Sequence, residues 1–154
     1  MKRQVPTFAF IAALYSIISF SPAFAQPDLL LNWANSMSNA SPTGGNIYGQ
    51  SIKVDEAGNM YVTGYFENTA DFDPGSGTVN LVSAGNADIF LAKYDASGNY
   101  IYAIRMGGPS GDVGLSLAID GNGNACITGF FQETVDFDPG SGSINLISAG
   151  SSDI

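Results

Sequence analysis

Asp71-Phe72-Asp73-Pro74-Gly75-Ser76-Gly77 recurs without a change as Asp136-Phe137-Asp138-Pro139-Gly140-Ser141-Gly142, 65 residues further along the chain. The same register holds without a gap from Ser51/Ser116 to Ile89/Ile154, and 22 of these 39 aligned pairs are identical. Self-similarity at a fixed period is typical of repeat architectures. The chain is therefore predicted to contain successive copies of one structural unit.

A shorter motif, Asp-x-x-Gly-Asn, occurs three times, each time between two short apolar segments. Its Asp can accept hydrogen bonds from backbone amides of a turn, and its Gly supplies the positive φ of a bulged hairpin. A calcium loop is the alternative for one copy, because Asp120, Asn122 and Asn124 place oxygen ligands at alternate positions. The other copies have Ala57 and Ser97 at the middle position, which favours structural turns. The turn residues are Asp55, Gly58 and Asn59; Asp95, Gly98 and Asn99; and Asp120, Gly123 and Asn124.

The segments beside these turns have the length and composition of β-strands. They are rich in aromatic and β-branched residues, and no long stretch has the 3.6-residue period of a helix. Gly64 and Gly129 lie inside two of them at equivalent places, which predicts a bulge or a close backbone approach. The predicted strands of the first unit are 51–54, 60–66, 89–94 and 100–105.

Four strands per unit, joined by short hairpins and repeated at a fixed period, predict an all-β fold of β-propeller type with four-stranded antiparallel blades. Residues 51–115 would form the first unit and residues 116–154 a second, truncated one. Leu30–Asn35 resembles the last strand of a preceding blade, followed by a Gly/Pro/Ser-rich crossing loop at 36–46. Since propellers close with about 4–8 blades, about two blades predict a fragment of a larger propeller. Its half-blade would then present an exposed strand edge.

The repeat resembles the bacterial β-propeller repeats known as SBBP repeats, in particular secreted members with related blade motifs. The matching segments are Gly58–Gly64, Asp71–Gly75 and Asp88–Lys93, and the likeness covers most of 33–154. The second copy departs from the pattern at Cys126, where the family has an aromatic residue. The resemblance implies a propeller of extracellular modules and does not define a ligand.

The N-terminus has the three parts of a secretory signal peptide. Lys2 and Arg3 form a basic start, an apolar run follows, and Ala23-Phe24-Ala25 is a small-residue cleavage site. The sequence therefore predicts a signal peptide at 1–25, a connecting region at 26–50, and a secreted, extracellular or cell-surface protein. No membrane insertion is expected after cleavage.

The charge of the chain is strongly acidic. It carries 14 acidic and five basic residues, and cleavage after Ala25 would leave a net charge of −11. Acidic surfaces repel phosphate backbones and anionic lipid surfaces, so nucleic acid and membranes are not expected partners. The expected partner is an extracellular protein or glycan.

The repeated acidic loop is the strongest candidate for a metal site. Asp71 and Asp73, with their copies Asp136 and Asp138, place two carboxylates in each Gly-containing loop, as in calcium sites. The structural alternative is a type II turn with Pro74 at its second and Gly75 at its third position, with Phe72 and Phe137 pinning the loops to the blade. Two carboxylates per loop fall short of the six to eight oxygens that calcium takes, so the turn is favoured and no cofactor is assigned.

Nothing in the sequence predicts catalysis. The chain has no His, and its one Cys, Cys126, aligns with Tyr61 and is expected to fill a packing position. The acidic pairs recur in each unit, whereas a glycosidase pair belongs to one site. Six aromatic residues are interpreted as blade packing, with a carbohydrate platform as the alternative: Tyr61, Tyr65, Tyr94, Tyr100, Tyr102 and Phe130.

Two functional hypotheses remain. The favoured one is a secreted, non-catalytic β-propeller scaffold for binding or structural interaction outside the cell. The alternative is the N-terminal part of a calcium-stabilised propeller hydrolase or lyase whose catalytic residues lie in other blades.

Overall fold

The structure, a computed structural model, describes residues 33–40 and 44–154, which form eleven β-strands and no helix. The predicted signal peptide and the first part of the predicted strand Leu30–Asn35 lie outside these residues. No helix in the described part of the chain is long and apolar enough to cross a bilayer. The strands are β1 (Ser38–Asn39), β2 (Ile47–Val54), β3 (Met60–Phe66), β4 (Thr69–Asp71), β5 (Asn80–Val82), β6 (Asp88–Tyr94), β7 (Tyr100–Met106), β8 (Val113–Ile119), β9 (Ala125–Phe130), β10 (Thr134–Asp136) and β11 (Asn145–Ile147).

The first unit is built on a four-stranded antiparallel sheet with the order β2-β3-β6-β7. The turn at Asp55 joins β2 to β3 and the turn at Asp95 joins β6 to β7. Strand β2 begins at Ile47, four residues before the predicted start at Ser51. The all-β prediction is confirmed, and the sheet has the strand number and antiparallel pairing of a propeller blade.

Between β3 and β6 the chain leaves this sheet and forms a small hairpin from β4 and β5. Asp71 pairs with Asn80 at the end of this hairpin, so the acidic motif forms its connecting loop. Strand β1 pairs with the other side of β4 and completes a three-stranded sheet. This hairpin was not predicted from the sequence, because its strands are only three residues long.

The second unit repeats the same order but has fewer paired strands. Strand β8 pairs with β9, and β10 pairs with β11 in the hairpin that carries the second acidic loop. An isolated bridge joins Phe131 to Asp153, in the register of the Phe66–Asp88 pair of the first unit. Beyond that bridge, within the described residues, β9 has no partner on its second side.

Gly64 and Gly129 lie where two backbones approach closely. The β2–β3 register shifts between Gly49 and Ser51, and the β8–β9 register shifts at the equivalent place. A Cβ at Gly64 would collide with the carbonyl oxygen of Tyr48, and one at Gly129 with that of Val113. The predicted bulge and close approach are both confirmed.

The two central strands, β3 and β6, pack on both faces of the first sheet, since alternate residues of a strand point to opposite faces. On one face, Met60, Phe66 and Phe90 form a core with Phe72 of the acidic loop. The other face forms the interface between the two units.

The interface between the units is an apolar core of its own. Tyr61 and Leu91 of the first unit pack with Leu117 of the second, and all three side chains are buried. Partly buried residues extend the contact from both sides: Tyr102, Ile104, Ile119 and Ile127. The units therefore stack face to face, as repeats with a continuous core do.

The prediction of a strand at Leu30–Asn35 is wrong for its described part, since Trp33–Asn35 has no strand pairing. Instead, the Trp33 indole nitrogen donates to the Ala96 carbonyl at 3.2 Å, and the Asn35 side chain donates to the Gly98 carbonyl at 2.6 Å. These side-chain bonds attach the segment to the β6–β7 turn, and Trp33 packs against the core of the first unit.

Candidate functional site

The three Asp-x-x-Gly-Asn turns share one hydrogen-bond pattern. Asp55 Oδ1 accepts from the amides of Ala57 and Asn59 at 3.0 and 2.8 Å, and the Asn59 side chain donates to Asp55 Oδ2 at 2.9 Å. Asp95 and Asp120 accept from the equivalent groups at 2.7 to 2.9 Å. The glycines Gly58, Gly98 and Gly123 have φ values of 84°, 84° and 82°, the positive values that the sequence predicts.

These contacts keep the turn carboxylates ionised. The Asn side chain that donates to each carboxylate is the main reason that the pKa values of Asp55, Asp95 and Asp120 lie below the usual range. Asp120, the first residue of the alternative calcium loop, makes the same turn contacts as the other two. The calcium alternative at this loop stays a prediction.

The two acidic loops also use their carboxylates as backbone acceptors. Asp71 Oδ1 accepts from the amides of Asp73 and Val79 at 3.1 and 2.8 Å, and Asp73 Oδ1 accepts from Gly75 at 2.8 Å. The second loop repeats these bonds at 3.0, 2.8 and 2.7 Å through Asp136 and Asp138. Backbone donation holds the pKa of Asp136 below its usual value.

The predicted type II turn is wrong, because Gly75 and Gly140 do not have positive φ. The carboxylate of Asp73 folds over the loop instead and accepts from the Gly75 amide. A Cβ at Gly77 would collide with Asp73 Oδ2, and Gly142 is restricted in the same way by Asp138. Small residues are therefore needed in this loop for space rather than for backbone angle.

Phe72 and Phe137 hold the loops against their units, as predicted. The Phe72 ring is fully buried, 5.5 Å from the Phe66 ring and 5.0 Å from the Phe90 ring. Phe137 lies 5.3 Å from Phe131. Together with the amide-bonded carboxylates, this packing supports the structural interpretation of the loop, while the calcium site stays a prediction. Among the described residues, no three His, Cys, Asp or Glu side chains cluster as a metal site would require.

A polar groove lies between the Asp55 and Asp120 turns, where the two units meet. We call this space, of about 460 Å³, the turn groove, and its lining includes Glu56, Tyr61, Lys93, Asp120, Gly121 and Asn122. Lys93 is its one basic residue. Its ammonium donates to the Tyr61 hydroxyl at 2.5 Å, lies 4.5 Å from the centre of the Tyr61 ring and 3.7 Å from Asp55 Oδ2.

The setting of Lys93 favours its charged form. The hydrogen bond to Tyr61 is the main cause that raises the pKa of Lys93, and Asp55 adds to it. Because the side chain is held from two sides, the cation has a fixed position in the groove. The exposed side chains of Glu56 and Asn122 are available to a ligand beside it.

The six aromatic candidates do not form one platform. Tyr61 and Tyr102 belong to the interface between the units, whereas Tyr94 and Tyr100 pack with the core on the opposite face of the sheet. Tyr94 is buried, which raises the pKa of its hydroxyl. The packing interpretation accounts for these four side chains.

Cys126 is exposed, so the prediction that it fills a packing position is wrong for this structure. The equivalent Tyr61 is 1% exposed because the second unit covers its face of the sheet. In the described residues, no further unit covers the corresponding face of β9. Cys126 does occupy the position equivalent to Tyr61, but a side chain at this position is buried only where a neighbouring unit covers it.

Two carboxylates are buried that the sequence did not predict as buried. Asp88 accepts from the Ala84 amide at 2.8 Å and pairs with Arg105 at 2.7 Å, yet burial outweighs both contacts and raises its pKa. Asp112 accepts from two amides, and burial raises its pKa as well. The identity of Asp88 and Asp153 across the period was the available signal for the first of them.

Comparison with known proteins gives one informative likeness. The chain is similar to an uncharacterized WD repeat-containing protein, L264, of Acanthamoeba polyphaga mimivirus, with 29% identity over 127 residues. The alignment covers 73% of this chain and 9% of that protein's length. No family model and no solved structure matches the chain. The likeness agrees with a propeller-type repeat, while membership of the bacterial SBBP family stays a prediction.

Proposed function

We propose that this chain is a non-catalytic, propeller-type repeat scaffold, exported from the cell, that binds an extracellular protein or glycan. The observation that carries this proposal is the stacking of the units through Tyr61, Leu91 and Leu117. Stacking places the same turn of each unit side by side. It thereby creates a groove that neither unit forms alone.

The turn groove has the chemistry of a binding site for a polar ligand. It offers the Lys93 cation, a carboxylate on Glu56 and an amide on Asn122. Hydroxyl groups of a sugar or the polar groups of a peptide can both donate to and accept from such a set. Its volume of about 460 Å³ is within the usual range of ligand pockets.

The absence of catalysis is supported by how the repeated carboxylates are used. Asp55, Asp71 and their copies accept hydrogen bonds from the backbone that they fold. A general acid or base must reach a substrate proton, whereas these carboxylates are already engaged in hydrogen bonds to the backbone.

The export part of the proposal rests on the N-terminal segment alone. The test is expression with residues 1–25 intact in a secreting host, followed by mass analysis of the protein in the medium. We expect a mature chain that begins at Gln26. Retention of the full chain inside the cell would contradict export without affecting the ligand proposal.

The ligand proposal is tested with arrays of glycans and extracellular proteins. Gly121→Trp would fill the turn groove, because a side chain at Gly121 meets nothing within 4 Å and the equivalent Glu56 carries one. Gly150→Trp is the matched control, since Gly150 is equally unrestricted and does not line the groove. We expect the wild type and Gly150→Trp to bind the same ligand, and Gly121→Trp to lose it. Equal binding by both variants would refute the groove.

A further inference from the structure

The two units differ in the kind of residue where they meet at the turn groove. Over residues 71–89 and their copies, 14 of the 19 aligned pairs are identical, and the five differences are among small or aliphatic residues. The two middle positions of the groove turns differ more. Glu56 of the first turn is Gly121 in the second, and Ala57 is Asn122. All four residues line the groove, so the units differ at positions that a ligand would contact.

The turns do not depend on the side chains at these middle positions. The Asp, Gly and Asn of each motif form the turn, and Ala57 and Asn122 contribute only a backbone amide to it. The side chains of Glu56 and Asn122 are exposed, and neither forms a hydrogen bond or an ion pair with the described residues. These two side chains can therefore change between units without loss of the turn.

The turn groove is negatively charged. Three carboxylates line it, on Asp55, Glu56 and Asp120, against the one ammonium of Lys93. That ammonium lies 3.7 Å from Asp55 Oδ2, so these two charges largely offset each other. Asp120 accepts hydrogen bonds within its own turn but still contributes its charge. Because like charges repel, the groove disfavours an acidic ligand and favours a cationic one.

The groove also has an apolar part. Val54 and Ile119, at equivalent places of the two units, line it beside the turns. Such aliphatic surface suits the methylene stem of a Lys or Arg side chain. Tyr61 is the aromatic residue of the lining, but it is 1% exposed and the Lys93 ammonium lies 4.5 Å from its ring centre. A sugar ring would therefore find no open aromatic face on the described lining, which favours a basic side chain over a glycan.

We propose that the turn groove binds a basic side chain of a partner protein, arginine above all, and that Glu56 and Asn122 are the residues that select it. This inference rests on the ligand function proposed above for the groove. A guanidinium has five N–H donors in a planar arrangement. It donates to the Glu56 carboxylate and to the side-chain oxygen of Asn122, while its methylene stem packs on Val54 and Ile119.

The probe is the capped peptide acetyl-Gly-Gly-Arg-Gly-Gly-amide, titrated into the ¹⁵N-labelled full chain and followed by amide chemical shifts. We expect saturable shifts at Gly121 and Asn122, and none at Gly150, which does not line the groove. The control peptide carries citrulline in place of arginine, because citrulline has nearly the same shape and no charge. It should bind about fivefold more weakly, as expected for the loss of an exposed ion pair.

Chain variants assign the selection to the two residues. Glu56→Gln keeps the shape of the side chain and removes its charge, so it should weaken the arginine peptide about threefold and leave the citrulline peptide unchanged. Glu133→Gln is the matched control, because Glu133 is also exposed and does not line the groove. It should bind both peptides as the wild type does. Asn122→Ala should weaken both peptides about threefold, because citrulline also donates to the Asn122 oxygen.

The results separate this inference from the ligand function on which it rests. The inference is overturned by the absence of saturable shifts with the arginine peptide, by equal affinity for the two peptides, or by equal effects of Glu56→Gln and Glu133→Gln. It is also overturned if the array ligand that Gly121→Trp loses is a neutral glycan. In each of these cases an array ligand lost in Gly121→Trp would still establish the groove as a binding site. If no such ligand exists either, the proposed ligand function fails as well.

Discussion

The two units share most of their residues but not their burial. Phe72 is fully buried whereas Phe137 is only half-buried, and Tyr61 is covered whereas the equivalent Cys126 is exposed. Both differences arise from neighbours: β6 covers the first unit's rings, and the second unit covers Tyr61. Burial in a repeat therefore depends on which strands and units lie beside a position, and not on the residue at that position.

The turns show the opposite behaviour. The Asp55 and Asp120 turns have the same hydrogen bonds and nearly the same φ at their glycines, although they lie in units of different completeness. Their bonds join residues at most four positions apart. Local chemistry thus repeats with the sequence, whereas packing does not.

Truncation of the equivalent rings, Phe72 and Phe137, is the strongest test of the difference in burial between the units. Phe72→Ala should lower the free energy of unfolding by about 3–5 kcal/mol, the usual cost for a buried Phe. Phe137→Ala should cost about 1 kcal/mol, because its ring has fewer partners and is partly hydrated already. Urea unfolding followed by Trp33 fluorescence and circular dichroism measures both. Equal losses would show that the second unit packs as tightly as the first.

Substitution of the turn glycines should affect both units alike. Gly58→Val and Gly123→Val should each cost about 1–2 kcal/mol, because an L-residue with a side chain is strained at positive φ. Gly121→Ala is the control in the same loop, since its φ is not positive and the site is open. A loss confined to Gly58 would mean that packing, and not the turn, restricts these positions.

Acid titration separates the turn carboxylates from the buried ones. The pKa of Asp120 is lowered on folding. Its contribution to the free energy of unfolding is therefore present above the pKa of the unfolded state and is lost as the pH falls through the pKa of the folded state. The stability difference between the wild type and Asp120→Asn should therefore shrink on acidification below about pH 4. The pKa of Asp112 is raised on folding, so its contribution to the free energy of unfolding is present at low pH and declines as the pH rises through the pKa of the folded state. A pH-independent difference for Asp120→Asn would refute the turn's electrostatic role.

Calcium should have the smallest effect. If the acidic loops are structural, thermal unfolding should have the same midpoint in calcium and in chelator at matched ionic strength. A bound ion would instead stabilise by about 2.7 kcal/mol at 100 times its dissociation constant. A calcium-dependent rise that disappears in the variant Asp71→Asn with Asp136→Asn would establish the metal site in both units.

The sequence predicted the features that depend on short-range chemistry. The turns, the all-β class and the close approach at Gly64 were visible, because each needs particular residues within a few positions. The backbone of the acidic loop was assigned wrongly, since a Pro-Gly pair fits a type II turn as well as a loop closed by the Asp73 side chain. The residues of the loop indicated a turn, but the contact of the Asp73 side chain, which decides between the two conformations, could not be predicted from them.

Features that depend on distant partners were not predictable in this way. The exposure of Cys126, the buried pair of Asp88 with Arg105 and the turn groove all require knowledge of which strands meet. Asp88 and Arg105 are 17 positions apart and belong to different strands. No local pattern marks such a pair, and the period shows only that the Asp recurs.

Residue-resolved amide hydrogen exchange tests the difference between the units most directly. Since Phe131 donates to Asp153 and pairing alternates along a strand, the amides of Ile127 and Gly129 point to the open edge. Their equivalents, Val62 and Gly64, face β6. The account predicts slow exchange at Val62 and Gly64, and exchange at Ile127 and Gly129 near the rate of unprotected amides. Equal protection at the two pairs would contradict it, because β9 would then already be covered.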